Sequence, residues 1–320
     1  MKRLQRQKPL KRLQLRKKLQ RQKRKLLLKK PKKLMKAPVN PPVDGRFRFR
    51  LDLAYDGTDF NGFAKQDDLR TVAGELLTGL VKIFGEDAED YRMRVAGRTD
   101  KGVHAQAQVL HLDLTPDQLK RIRRGHGVAE RLNRIIDPDV RVISFEEADP
   151  GFHARFSALS RRYRYSIADR SVPPNPMTSR YMLEILWHLE VDPMVEAAKE
   201  FMGLRDFRAF CKERDGTTTI RELREISVKR RSNGVIDIEI EADAFCHNMV
   251  RSVVGALMSA GSGRTTAPEI RKALKGKRNE HAYKVQAPQG LTLIKINYPA
   301  KSKLAAQAEL TQRMRTLDDN

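Results

Sequence analysis

Cysteine is nearly absent from this 320-residue sequence, which contains only Cys211 and Cys246. They do not form a CxxC pair, so the pattern predicts neither a disulfide framework nor a cysteine-ligated zinc site. This usage is typical of a reducing, cytoplasmic compartment. Long apolar runs are missing as well. The longest uncharged stretch of the C-terminal half, residues 252–263, is far shorter than the roughly 20 apolar residues of a membrane span, which predicts no transmembrane helix.

Acidic residues are absent from positions 1–43, which contain 18 lysines and arginines. The whole chain has 64 basic and 40 acidic side chains and a net charge of +24, so three quarters of the excess lies in this segment. The segment has no acidic partners for helix-stabilising ion pairs, and we expect a disordered N-terminal tail. A basic arm attracts phosphate backbones through counterion release. A solubilising or targeting segment, or a true start at Met35, is the alternative interpretation.

Periodic apolar residues begin beyond a proline-rich hinge at positions 38–42. Apolar and polar residues alternate from Phe47 to Tyr55, which predicts a strand with one buried face. Thr71 is predicted to cap a helix, and Asn233-Gly234 predicts a hairpin. We predict further strands over 93–96, 105–114, from 140, over 161–168, 220–229, 235–242 and 291–298, and helices over 72–84, 119–136, 192–203, 249–261 and 266–274.

Strands and helices do not alternate strictly along the chain, as a parallel sheet would require. The pattern indicates an α+β protein in which two α/β halves share one mostly antiparallel sheet. With 40% hydrophobic residues, the chain can bury a core. We place the N-terminal half at residues 44–150, the C-terminal half at 151–300 and a C-terminal tail at 301–320.

A loop between two predicted strands, bounded by Gly97 and Gly102, combines the carboxylate of Asp100 with basic side chains. Catalytic groups concentrate in loops held by rigid strands. The two glycines have the spacing of a phosphate-binding P-loop, but Val103 and His104 occupy the positions that require Lys and Ser or Thr, which excludes that motif. Composition alone favours an ordinary tight turn here.

The histidines do not predict a metal site. His104 and His111 are seven positions apart, which puts them on opposite faces of a strand, and no HExxH motif or carboxylate cluster accompanies them. His247 follows Cys246 without companion ligands, so we interpret it as a satisfied, partly buried histidine.

Aromatic and basic residues alternate near position 163. On a strand, Tyr163 and Tyr165 share one face, and Arg162 and Arg164 share the other. Aromatic rings stack on bases and arginines bind phosphates in single-strand RNA readers. The alternative is that the tyrosines belong to the core and the arginines are solvated.

Five segments, in order along nearly all of residues 46–299, resemble the bacterial tRNA pseudouridine synthases of the TruA type, which modify uridines 38, 39 and 40 of the anticodon arm. The segments are Leu53 to Phe63 (LAYDGTDFNGF), Gly97 to Asp100 (GRTD), Phe152 to Ala158 (FHARFSA) with Arg162 to Tyr165 (RYRY), Asp243 to Arg251 (DAFCHNMVR), and Ala287 to Leu291 (APQGL). The resemblance implies the pseudouridine synthase fold with a central active-site cleft. It also implies an isomerase that needs neither a cofactor nor a metal.

The resemblance implies five site residues and reverses the turn-only interpretation of the loop. Asp100 matches the nucleophile, and Arg98 matches an arginine that helps to hold the flipped-out nucleotide. Tyr163 matches a tyrosine that stacks on the uracil and assists removal of the C5 proton. Arg251 matches a cation that meets Asp100 across the sheet and favours its ionised form. Leu291 matches an apolar wall.

The implied partners are tRNA, bound at its anticodon stem-loop, and a second copy of the chain in a homodimer. Two other functions remain as hypotheses: a pseudouridine synthase acting on another RNA, and a non-catalytic RNA-binding or ribosome-assembly protein. Asp100 discriminates between catalysis and simple binding, because a carboxylate in a cationic RNA cleft repels phosphate, whereas a nucleophile requires it.

Overall fold

The computed structural model describes residues 44–85, 90–122, 127–212, 218–276 and 283–312. The basic segment 1–43 lies outside the described residues, as does the end of the predicted C-terminal tail. The expectations for those segments therefore stay predictions.

A single mixed sheet organises the described part of the chain. Within the described residues, its ten strands are β1 (Phe47–Tyr55), β2 (Arg94–Val95), β3 (His104–Leu114), β4 (Val140–Glu147), β5 (Ser160–Ala168), β6 (Leu183–Glu184), β7 (Gly203–Asp206), β8 (Ile220–Arg230), β9 (Ile236–Ala242) and β10 (Leu291–Asn297). The order is β4-β1-β3-β10-β5-β9-β8-β7, with β2 beside β3 and β6 beside β5. Apart from the parallel pairs β3/β10 and β5/β6, neighbouring strands are antiparallel. The predicted α+β class with a mostly antiparallel sheet is confirmed.

Helices accompany this sheet. The described α-helices are α1 (Val72–Phe84), α2 (Pro116–Leu119), α3 (Val128–Ile135), α4 (Val191–Ala198), α5 (Met249–Gly261), α6 (Ala267–Lys275) and α7 (Leu304–Gln312). The single helix predicted over 119–136 is wrong, since α2 and α3 are separate and residues 123–126 between them lie outside the described residues. None of the helices in the described part of the chain combines the length and the apolar character needed to cross a bilayer.

Local sequence signals account for most of these elements. In β1 the alternating side chains Phe49, Leu51 and Leu53 are fully buried, as predicted. Burying each such side chain contributes about 1.5–3 kcal/mol. The hydroxyl of Thr71 accepts a hydrogen bond from the amide of Gly74 (3.2 Å) and so begins α1. The β8/β9 hairpin turns at Gly234, whose φ of +87° favours glycine.

The two predicted halves meet where β10 inserts between β3 and β5. Thr292 and Leu293 of β10 pair in parallel with His104 and Ala105 of β3. Parallel strands begin at the same edge of a sheet, so the loop before β3 and the turn before β10 arrive side by side. This edge contains the candidate site.

The cysteines were predicted to form no disulfide framework, and the structure corrects this. Cys211 and Cys246 form a disulfide, with their Cα atoms 5.8 Å apart. The segment after β7 and the segment after β9 are joined there, and the amide of Lys212 also donates to the carbonyl of His247 (2.9 Å). Their 35-residue separation in sequence gives no information about this contact, because it depends on how the C-terminal half folds.

Candidate active site

The loop that carries Asp100 is clamped against the segment after β1. The amide of Phe63 donates to the carbonyl of Thr99 (3.1 Å), and the amide of Gly102 donates to the carbonyl of Phe60 (3.2 Å). Gly57 permits this approach, because a Cβ at that position would lie only 2.1 Å from the carbonyl oxygen of Val103. The segment from Leu53 to Phe63 thus supports the loop from behind.

Buried hydrogen bonds fix the base of the loop. The hydroxyl groups of Tyr55 and Thr99 lie 2.8 Å apart and share a hydrogen bond. The amide nitrogen of Gln108 donates both to the Tyr55 hydroxyl (3.1 Å) and to the carbonyl of Gly97 (2.8 Å). Burial raises the pKa of Tyr55 to about 12, so this phenol stays protonated and keeps the network intact at neutral pH.

The carboxylate of Asp100 faces two side chains near the start of α5, the imidazole of His247 and the guanidinium of Arg251. Its Oδ2 lies 3.6 Å from Nη1 of Arg251, and its Oδ1 lies 3.6 Å from Nε2 of His247. Both separations exceed a hydrogen bond, so the contacts are electrostatic at these distances. The carboxylate is about a third exposed, whereas Arg251 is mostly buried. The structure therefore brings together Asp100 and Arg251, which come from opposite halves of the chain.

Backbone contacts hold Arg251 in place. Its Nε donates to the carbonyl of Gln286 (2.6 Å), and the amide of Gln286 donates back to the carbonyl of Arg251 (3.2 Å). Gln286 leads into the 3₁₀ turn Pro288–Gly290 before β10. The same turn that enters β10 thus fixes the guanidinium beside Asp100.

Tyr163 and Leu291 lie deeper than Asp100. Tyr163 is only 7% exposed and packs edge-to-face against Phe245, with 5.2 Å between the ring centroids. Its hydroxyl would be 3.8 Å from a Cβ at Gly97, which places it against the loop that carries Asp100. Burial raises the pKa of Tyr163 far above its usual value, so the phenol stays protonated. Leu291 is buried opposite Tyr165 in the β5/β10 pair.

A cavity of about 770 Å³ opens over Asp100. Its lining residues are Thr58, Asp100, Lys101, Gly102, Ser179, Arg180, His247, Arg251, Pro288 and Gln289. Among these described residues, Asp100 is the one carboxylate, and it is surrounded by three Lys or Arg side chains and a histidine. Such a lining attracts a polyanion toward a single carboxylate. Arg98 is exposed two positions before Asp100 and does not line this cavity.

Sequence reasoning did not select Arg180. It belongs to the 3₁₀ turn Ser179–Tyr181, in the excursion between β5 and β6. The hydroxyl of Tyr181 donates to Oδ2 of Asp56 (3.1 Å), and Nη1 of Arg180 lies 3.8 Å from both Asp56 and Asp59. No periodic pattern in the sequence indicates this contact, because the excursion is irregular.

Arg162 and Arg164 lie on the opposite face of β5 from Tyr163, as predicted, but their charges are already matched. Nη2 of Arg162 lies 2.7 Å from Glu241, and Nη2 of Arg164 lies 2.7 Å from Glu239. The interpretation of these arginines as phosphate ligands is therefore not supported. They connect neighbouring strands of the sheet instead.

The buried histidines of β3 have structural partners. Nδ1 of His104 accepts from the amide of Gly57 (2.9 Å), and Nδ1 of His111 accepts from the amide of Ala154 (3.0 Å). Burial lowers the pKa of both, to about 2 for His111, so both are neutral acceptors. In the described ranges, no three His, Cys, Asp or Glu side chains are grouped so that they could hold a metal ion.

A family model and three related proteins that match this chain are all described as tRNA pseudouridine synthases. Residues 197–299 match a family model described as tRNA pseudouridine synthase. The chain is 44% identical to tRNA pseudouridine synthase A of Leifsonia xyli over 287 residues, covering 86% of this chain and 100% of that protein. It is 45% identical to proteins of the same name from Frankia casuarinae and Streptomyces avermitilis, covering 85% of this chain and 97% and 95% of theirs.

Proposed function

The chain belongs to the tRNA pseudouridine synthase A family and is an isomerase, and on that premise we propose that it converts uridine to pseudouridine at positions 38, 39 and 40 of the tRNA anticodon arm, with Asp100 as the nucleophile. One observation carries the proposal: among the described residues that line the cavity, a single carboxylate stands beside Arg251 and His247. A nucleic-acid cleft otherwise gains nothing from a negative charge.

The reaction rearranges one nucleotide without an external reactant. The N1–C1′ bond breaks, the uracil turns, and C5 bonds to C1′; C5 loses a proton and N1 gains one. An ionised carboxylate can add to C1′, or it can take a proton from C2′ to open a glycal route. Both routes need Asp100 ionised, and the guanidinium of Arg251 lies 3.6 Å from its carboxylate.

The target uridine must leave the base stack before its C1′ becomes accessible. We assign Arg98, which is exposed on the catalytic loop, to hold the flipped-out nucleotide. The ring of Tyr163 is assigned to stack on the uracil, and Leu291 to limit the apolar side of the base pocket. Because burial keeps the phenol of Tyr163 protonated, its proposed contribution is the ring face rather than proton removal from C5.

We further propose that the tRNA anticodon stem-loop is the bound partner and that the chain acts in the cytoplasm as a homodimer. The division into halves at 44–150 and 151–300 assigns Asp100 to one half and Arg251 to the other. Under this proposal, neither half is active alone.

The test incubates the purified protein with an unmodified tRNA transcript and maps pseudouridine by carbodiimide adducts and primer extension. Stops at positions 38 to 40 with the wild-type protein, retained by Asp117→Asn and lost in Asp100→Asn, support the reaction and its nucleophile. Asp117 is an exposed residue in the first turn of α2 and serves as the matched control. Tight tRNA binding by a wild-type protein that yields no stops favours the simple binder. Stops only in another RNA favour the alternative substrate.

A further inference from the structure

His247 was interpreted from the sequence as a structural histidine, yet it lies beside Asp100. Its Nε2 is 3.6 Å from Oδ1 of Asp100, while Nη1 of Arg251 is 3.6 Å from Oδ2. Each carboxylate oxygen therefore faces a different side chain, Oδ1 the imidazole and Oδ2 the guanidinium. Rotation of the carboxylate about its Cβ–Cγ bond would carry both oxygens away from these partners.

The chain places His247 firmly. Asn248 adopts a left-handed conformation (φ +68°) immediately before α5, so the backbone turns sharply between His247 and the helix. His247 therefore lies outside the helix that carries Arg251, and the turn at Asn248 sets its direction relative to that helix. On the other side, the amide of Lys212, which follows β7, donates to the His247 carbonyl (2.9 Å) and attaches this segment to the loop after β7.

The side chain is also accessible from the cavity. His247 is 22% exposed and lines the cavity with Asp100 and Arg251. Distances between catalytic groups shorten when substrate completes the site, so a separation of 3.6 Å is within the range that closes to a hydrogen bond.

We propose that His247 is a positioning residue for Asp100. Its imidazole holds Oδ1 while Arg251 holds Oδ2, and together they fix the plane in which the carboxylate approaches the sugar of the bound uridine. This inference rests on the proposed function. The imidazole acts through Asp100, so it governs the rate of the chemical step rather than the affinity for tRNA.

Three substitutions distinguish the hydrogen-bonding nitrogen of His247 from the shape of its ring. His247→Ala removes both, His247→Phe keeps a ring without a hydrogen-bond donor, and His247→Gln keeps a donor without the ring. We expect the single-turnover rate to fall about 10–100-fold in the Ala and Phe variants, since small misplacements of a reacting group have effects of that order. The Gln variant should recover most of the rate. The dissociation constant for tRNA should stay unchanged in all three.

His188→Ala is the matched control, because His188 is half-exposed and contacts Asp169 and Glu190 away from the cavity. Each variant's melting temperature is measured first, and the Phe and Gln variants decide the result if Ala unfolds. The inference is overturned if His247→Phe keeps the wild-type rate, if Gln is as slow as Phe, or if tRNA affinity falls in step with the rate. A wild-type protein that forms no pseudouridine would instead refute the proposed function.

Discussion

The guanidinium of Arg251 reaches to 3.6 Å from the carboxylate of Asp100, across the junction where β10 enters the sheet between β3 and β5. One residue precedes β3 and the other lies in the first turn of α5, so neither half of the chain contains the pair. The carbonyl of Gln286 holds the guanidinium at 2.6 Å and thereby links the pair to the turn before β10. The site is a product of the complete sheet.

Replacing Arg251 should slow the reaction while the fold survives. In Arg251→Gln, the carboxylate of Asp100 loses the cation that lies 3.6 Å from it, and we expect a fall of about 100-fold in the single-turnover rate. Arg251→Lys keeps the charge but not the planar fork that also bonds to Gln286, so its rate should be intermediate. Arg271→Gln, at an exposed ion pair with Glu200, is the control. Equal rates in Arg251→Gln and wild type would refute the role of the pair.

Tyr163 should tolerate loss of its hydroxyl. If the ring provides a stacking face, Tyr163→Phe keeps most of the single-turnover rate, because the buried phenol is protonated in any case. Tyr163→Leu removes the aromatic face and should lower the rate by about 10–100-fold, since base–aromatic stacking contributes about 1–3 kcal/mol. Pseudouridine formation measured under single-turnover conditions distinguishes the two variants. A Phe variant as slow as Leu would show that the hydroxyl takes part in the chemistry.

Gly57→Ala should displace the loop that carries Asp100. A Cβ at Gly57 would overlap the carbonyl oxygen of Val103 at 2.1 Å, and backbone atoms cannot move aside cheaply. Overpacking of this kind costs about 1–3 kcal/mol of unfolding free energy. The matched control is Gly127→Ala, where no atom lies within 4 Å of the added Cβ. The free energy of unfolding, measured in urea, and the single-turnover rate should both fall in Gly57→Ala and stay near the wild-type values in Gly127→Ala.

His111 should make the protein less stable in mild acid. Its pKa is lowered to about 2 by burial, so between that value and the ordinary histidine pKa of about 6.5 only the unfolded chain binds this proton. The contribution of neutral His111 to the free energy of unfolding is complete above pH ~6.5. Below that pH, this contribution falls by up to about 1.4 kcal/mol for each pH unit. Urea unfolding at several pH values measures this slope.

His111→Gln is the informative variant, because its amide oxygen can still accept from the amide of Ala154 but does not titrate. Its unfolding free energy should depend less steeply on pH than that of wild type. His188→Gln, at an exposed position, leaves His111 in place and is the control. Identical slopes in all three proteins would contradict the assignment of this pH dependence to His111.

Removing the basic segment 1–43 should weaken tRNA binding in a salt-dependent way without loss of chemistry. The segment carries 18 positive charges and no acidic residue, so its contribution comes from release of counterions from the RNA. A plot of the logarithm of the binding constant against the logarithm of salt concentration should be flatter for residues 44–320 than for the full chain. An inactive truncation would give the segment a role beyond electrostatic attraction.

Local features of the fold were predictable because their causes are local. Alternation identified β1, Thr71 marked the start of α1, and the Asn233-Gly234 pair marked the β8/β9 hairpin. The contact between Asp100 and His247 was not predictable, because it depends on the order of the strands, and residue spacing carries no information about that order. Resemblance to a family implied Arg251 as a partner but assigned nothing to His247. The disulfide of the two cysteines was missed for the same reason.

The central position of β10 has a consequence for how the enzyme is made. β10 is the last of the described strands along the chain, yet it occupies the middle of the sheet and pairs with strands on both sides. Until it emerges from the ribosome, β3 and β5 each present an open edge, and open edges are sites of aggregation. The high sequence separation of the β3/β10 contact also slows folding. A nascent chain that stalls before residue 291 therefore carries Asp100 without the strand that completes the sheet beside it.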